Sequence, residues 1–215
     1  MLILKKSSCF IFLFLFSQIS FSQEIRSYLD KGDFTLGLRT TTSIFEHDKV
    51  PALGTGGQFR LQFFDFLSTE WFADWITMDL KGAGTRQNAH IGWSVLFYLN
   101  KNKRFNPYFI AGHCFDFAQV TPLGTSYIDR SSEKISRWSS AVQAGLGAHY
   151  FLTERFNCTL SAQYMLHLGE HLEYDLSPTG NGYYLNTNPS THEEVGVEGH
   201  VLLTFSLNYR IGDLW

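Results

Sequence analysis

Charge is scarce in this chain. Only 17% of its 215 residues are Asp, Glu, Lys or Arg, and proline numbers five. A disordered chain is rich in charge and poor in aromatics, so disorder is excluded. The balance is slightly acidic, −3, which removes the basic footprint of a nucleic-acid binder. Sustained heptads are missing and 18 glycines are present, which excludes a coiled coil. Beyond the first 22 residues no stretch approaches 18 apolar residues, so no spanning helix is expected. Cysteine is limited to Cys9, Cys114 and Cys158. What the chain does have is aromatics: 20 Phe, 10 Tyr and 5 Trp. One compact, aromatic-rich β domain fits this composition.

The N-terminus reads as an export address. Lys5 and Lys6 form a positive start, and Cys9 to Phe16 form an apolar core. Ser20 and Ser22 are the small residues that precede a cut before Gln23. The apolar run is too short for a helix that crosses a bilayer. Residues 1–22 are therefore a cleaved signal peptide, and residues 23–32 a short periplasmic segment before a domain over 33–215. Removal of the signal leaves a charge of about −5. Cys9 has no lipobox around it, so a lipid anchor is not expected.

From Asp33 onward, apolar and polar residues alternate with period two. Strands are predicted at 33–45, 56–66, 69–79, 87–99, 107–118, 137–151, 155–169 and 195–211. In the last, Val201, Leu203, Phe205, Leu207 and Tyr209 share one face, and His200, Thr204, Ser206, Asn208 and Arg210 the other. Faces of this length can cross a membrane when the strand is tilted. Cys114 and Cys158 fall on opposite faces two strands apart, so two free, buried thiols are expected. Connectors after the even strands are short, while those after the odd strands include 46–55, 80–86, 119–136 and 170–194. Short periplasmic turns and long external loops mark outer-membrane barrels. Aromatics thicken at the periplasmic ends (Phe64, Phe66, Trp71, Phe72, Phe97, Tyr98, Tyr108, Tyr150, Phe151, Phe156, Tyr209). A second set marks the external ends (Phe45, Trp75, Phe115, Phe117, Trp138), as interfacial belts would.

The fold class expected is all-β: an eight-stranded antiparallel up-and-down transmembrane β-barrel. The signal ending FSQ, the alternating strands, the asymmetric connectors and the closing VLLTFSLNYRIGDLW resemble the small OmpA/OmpX-type outer-membrane barrels. The Phe-rich signal and FSQ ending resemble the versions found in Bacteroidetes. The resemblance covers Gln23 to Trp215. It implies a multi-pass protein of the outer membrane, in contact with its lipid and lipopolysaccharide. It also implies an aromatic-bearing last strand read by the barrel-assembly machinery, with Tyr209 and Trp215 in that part. A soluble lipocalin-like carrier would alternate too, but with its apolar face inward and its charge outside.

If the apolar faces meet lipid, the polar faces fill the lumen. That places Arg39, Arg60, Glu70, Asp74, Asp116, His149, Glu198, His200 and Arg210 in an interior polar network, with Gln62, His90, Gln143, Gln163 and His167 beside them. Charges there need partners. A lipid A-modifying enzyme, of deacylase or acyltransferase type, is the sharper alternative. His90 and Ser94 are its nearest pair, but four residues along a strand separate them by about 13 Å. No catalytic residue and no cofactor is expected. His167, Glu170 and His171 are weak metal candidates, from the string HLGEHLEYD. His47 and His192 lie in other external loops. His113 falls among lipid-facing residues unless a bulge near Gly112 turns it inward. The external loops, with Tyr127, Tyr174, Tyr183 and Tyr184 exposed, are the expected contact surface for an unidentified external ligand.

Overall fold

The computed structural model describes residues 28–45, 51–100, 104–123, 133–169, 172–180, 182–187 and 197–215. These residues form ten strands: β1 (Asp33–Phe45), β2 (Pro51–Phe64), β3 (Leu67–Asp79), β4 (Gly84–Tyr98), β5 (Phe105–Pro122), β6 (Ile135–Phe151), β7 (Phe156–Leu168), β8 (Asp175–Thr179), β9 (Gly182–Asn186) and β10 (Val197–Asp213). Eight of them close into a barrel in the order β1-β10-β7-β6-β5-β4-β3-β2. Each strand runs antiparallel to both neighbours, and β1 meets β10 to complete the ring. Closure leaves no strand edge unpaired, which a bilayer requires. The fold class read from the sequence is the one the chain adopts.

Alternation decides which way each side chain points. Along β3, Ser68, Glu70, Phe72, Asp74, Ile76 and Met78 are buried, while Trp71 and Trp75 face out. The outer face is apolar on every barrel strand: Leu38 is 76% exposed, Trp138 73%, and Leu53, Ile91, Phe115, Leu160 and Phe205 are also exposed. Leaving a side chain of this size in water forfeits about 1.5–3 kcal/mol. Lipid removes that penalty, whereas a soluble carrier would bury these residues and expose the polar face. Cross-strand rings on the outer face stack or tilt against one another, as in Phe59–Trp71 (5.1 Å), Phe156–Tyr209 (4.8 Å) and Phe117–Trp138 (4.9 Å).

Parity corrects part of the aromatic belt. Tyr98, Tyr108 and Phe151 sit near strand ends and Phe72 in mid-strand, but all four have inward parity and are buried in the lumen. Phe64, Phe66, Trp71, Phe97, Tyr150 and Phe156 do face out. The side chain of Phe45 lies outside the described residues. His113 points outward, with its ring edge-on to Phe115 at 5.2 Å. Pairing of β5 with both neighbours runs without a shift through Gly112, so no bulge turns it inward. Both described cysteines are free. Cys114 is buried in the lumen, whereas Cys158 is only half-buried, on the outer face.

Strand bounds differ where glycine hides the pattern. β2 begins at Pro51 rather than 56, because Gly54 and Gly56 place no side chain on the inner face. Between β3 and β4, residues 80–83 form a tight turn. Lys81 and Gly82 adopt positive φ there, and the Asp79 carboxylate accepts from Gly82 N at 3.2 Å. The two long connectors at the loop end are therefore 123–134 and 169–196. The second holds a hairpin, β8–β9, within the segment 170–194 expected to be loop.

Both mouths are covered. At the loop end, Leu185 of β9 is fully buried against Met78, Leu80, Ala83, Val120 and Leu202. Leu172, Tyr174, Leu176 and Tyr183 pack on the same cluster. Lys81 Nζ lies 4.3 Å from the Tyr183 ring, and Thr187 Oγ1 donates to Glu133 O at 2.7 Å. At the end that holds the termini, Leu29 is buried with Leu96, Tyr98, Tyr108, Ile110 and Phe151. Tyr28 packs on Phe151 with ring centroids 5.0 Å apart. Residues 28–32 are thus a stopper and not a free tail.

Candidate functional site in the barrel lumen

The polar interior is organised in tiers along the barrel axis. Nearest the termini, His149 Nδ1 meets Thr159 Oγ1 at 2.8 Å and its Nε2 meets Tyr98 OH at 3.0 Å. Tyr98 OH in turn shares a hydrogen bond with Ser68 Oγ at 2.8 Å. Gly147 makes room for this tier: a Cβ there would lie 2.3 Å from the Tyr108 ring. At the rim below, Arg210 Nη2 is 2.6 Å from Asp33 and 2.7 Å from Asp213. Arg210 is therefore a partly exposed rim residue and stands apart from the buried network.

The middle tier is a chain of alternating charge. Arg60 Nη2 lies 2.6 Å from Glu70 Oε2, Arg39 Nη1 is 3.5 Å from Glu70 Oε1, and Arg39 Nε is 3.0 Å from Asp74 Oδ1. Two cations meet two anions, so the tier is neutral. Arg39 also contacts Gln58 Oε1 at 3.3 Å and lies 4.6 Å above the Phe72 ring. Gly56 lets this pair sit close to the wall, because a Cβ there would overlap Asp74. Such a network holds only if each charge keeps its partner.

The upper tier brings three histidines together. His90 of β4, His167 of β7 and His200 of β10 are fully buried, with one nitrogen of each ring within 4.8 Å of the others. His167 Nε2 and His200 Nε2 are 3.1 Å apart. Asp116 of β5 lies behind two of them: Oδ1 is 3.1 Å from His90 Nε2, and Oδ2 is 3.2 Å from His167 Nδ1. Ser43 Oγ meets His200 Nδ1 at 2.7 Å. Asn88 and Ser139 donate to Asp116 at 3.3 and 3.4 Å, and Arg137 reaches it at 4.0 Å.

The sequence-predicted residues divide accordingly. Arg39, Arg60, Glu70 and Asp74 meet in one tier and Asp116 and His200 in another, with His149 in a third. The Glu198 side chain lies outside the described residues, as do Tyr127, His47, His192, Glu170 and His171. His167 therefore finds its described neighbours in His200 on the adjacent strand and His90 across the barrel, and not in its own sequence string. His90 and Ser94 do not pair: His90 faces Asp116, and Ser94 Oγ accepts from Gln143 Nε2 at 2.8 Å. Tyr174, Tyr183 and Tyr184 are half-buried rather than exposed, the first two because they pack into the loop-end plug.

No protein-family model matches the chain, and no curated protein matches it. Similarity is found among solved structures. Neisserial surface protein A shares 11% identity at a TM-score of 0.55, over 84% of this chain and 98% of that one. The outer membrane protein OprG from Pseudomonas aeruginosa shares 16% at 0.55, over 84% and 96%. Ail, the attachment invasion locus protein of Yersinia pestis, solved with the heparin analogue sucrose octasulfate, shares 12% at 0.52, over 85% and 100%. Fold and apolar girdle together define the class: a small β-barrel of the outer-membrane type.

Proposed function

We propose that this protein is a closed outer-membrane barrel with a structural or surface-interaction role, exerted through the loops at its wide-loop end. One observation carries the reading: the lumen is filled by a neutral ion network between two plugged mouths. At the mouth beside the termini, the space between Leu29, Asp33, Arg60 and Arg210 has a volume of only about 10 Å³, roughly one water. A barrel of eight strands is filled by its own side chains, so it supports loops rather than a conduit. In this reading residues 1–22 are a Bacteroidetes-style export signal. Tyr209 and Trp215 present the last strand to the assembly machinery, and lipopolysaccharide surrounds the loop end.

The test inserts an epitope at position 128 or 191 and labels intact cells, with the purified barrel examined in planar bilayers. Labelling without permeabilisation and an electrically silent bilayer are expected. Labelling only after permeabilisation, or a steady open channel, would overturn the reading. Expression of the full chain is expected to increase attachment of cells to surfaces or to one another, and deletion of residues 124–132 to remove that gain while the barrel stays folded.

A further inference from the structure

We propose that His90, His167 and His200 form a buried metal site that binds one divalent transition-metal ion, with Asp116 and Ser43 orienting the rings. The residues come from three separate strands, β4, β7 and β10, and converge at one depth in the lumen. Each ring has a partner on one nitrogen. For His167 it is Asp116 at Nδ1, for His200 Ser43 at Nδ1, and for His90 Asp116 at Nε2. The other nitrogens are what remain for a ligand role. His167 Nε2 and His200 Nε2 face each other, and His90 Nδ1 is buried with no hydrogen-bond partner, while the nitrogens that face Asp116 stand at ion-pair distance from it.

A neutral ring that meets a carboxylate carries its proton on that nitrogen, so in the neutral form His90 and His167 each keep a bare lone pair on the other. His200 Nε2–H then donates to His167, and Ser43 donates to His200 Nδ1. The His90 lone pair is left unsatisfied in the interior, which is unfavourable. A metal ion satisfies all three lone pairs at once. His200 moves its proton from Nε2 to Nδ1 and donates to Ser43 Oγ, so binding releases no proton. Metal-bound imidazoles characteristically pair their second nitrogen with a carboxylate or other acceptor, as Asp116 and Ser43 provide here.

Size is compatible. Zn–N bonds of about 2.0–2.1 Å in tetrahedral geometry place ligand nitrogens about 3.3 Å apart. His167 Nε2 and His200 Nε2 stand at 3.1 Å, and one nitrogen of each of the three rings lies within 4.8 Å of the others, so ring rotation closes the set. Three imidazoles without a ligating thiolate select zinc, copper, nickel or cobalt over magnesium or calcium. The site lies beneath the plug of Leu185, so the ion enters while the barrel folds and then stays.

The test refolds tag-free protein with Co²⁺ as the probe, then dialyses against a weak chelator. One Co²⁺ retained per barrel, with intense visible absorption of low-symmetry coordination, is expected. His167→Gln and His200→Gln, checked for folding by heat-modifiable gel mobility, should retain less than a tenth as much. Asp116→Asn should weaken retention about 10–100-fold. Wild-type protein that loses Co²⁺ as completely as the variants, or variants that retain as much as wild type, would overturn the proposal. If a variant does not fold, X-ray absorption of zinc-refolded wild type decides. A shell of three imidazole nitrogens supports the site, and an oxygen shell or no retained zinc refutes it.

Discussion

Arg39 is the charge on which the middle tier depends, and Arg39→Met is the perturbation that exposes this. Its guanidinium is 3.0 Å from Asp74 and 3.5 Å from Glu70. Methionine fills much of the same volume and removes the cation. Glu70 keeps Arg60 at 2.6 Å, so the orphan is Asp74, which is left with Thr41 Oγ1 at 3.5 Å. Breaking a buried pair from one side costs about 3–5 kcal/mol, because the remaining charge stays desolvated. The double variant Arg39→Met/Asp74→Asn restores neutrality. Coupling between residues in one network is about 0.5–3 kcal/mol, so the double variant should recover part of the loss. Urea unfolding from lipid vesicles, followed by tryptophan fluorescence and gel mobility, reads both numbers. A single variant within about 0.5 kcal/mol of wild type, the range of ordinary surface substitutions, would refute the interior ion network. So would a double variant less stable than the single.

Gly147→Leu should be destabilising by about 1–3 kcal/mol through overpacking against Tyr108, while Gly57→Ala, where the nearest atom is 3.7 Å away, should be close to neutral; the same unfolding assay compares them. Leu38→Arg, in the middle of the lipid face, should cost about 2–4 kcal/mol, and Leu214→Arg at the rim about 0–1 kcal/mol; equal effects would argue against the assigned membrane depth. Leu185→Asp should lift the β8–β9 plug, read as faster protease cleavage of residues 172–187 in an otherwise heat-modifiable barrel.

Much of the fold was legible because alternation survives averaging over long strands. β10 and β7 read off directly, since each face keeps one character for a dozen residues. Legibility failed where side chains were missing or parity was ignored. Gly54 and Gly56 blank the inner face of β2 and hid its first five residues. Tyr98 and Tyr108 were assigned to the belt by nearness to strand ends, although parity placed them inside. The β8–β9 hairpin is only five residues a side and contains Pro178, yet Gly180–Asn181, between the paired Thr179 and Gly182, is a two-residue hairpin signal in the sequence. The interior charges were legible one by one from parity. Their grouping was not, because it depends on register around the ring. His167 sits beside His200 only through the pairing of β7 with β10, where Glu198 opposes His167 and His200 opposes Met165.

The barrel is closed and seated in the outer membrane with its polar face inside. Fractionation of the envelope followed by a denaturing gel, with and without boiling, tests this most directly. A chain found in the outer-membrane fraction that changes mobility on boiling is the predicted result. A chain that is soluble in the periplasm with unchanged mobility would contradict the account.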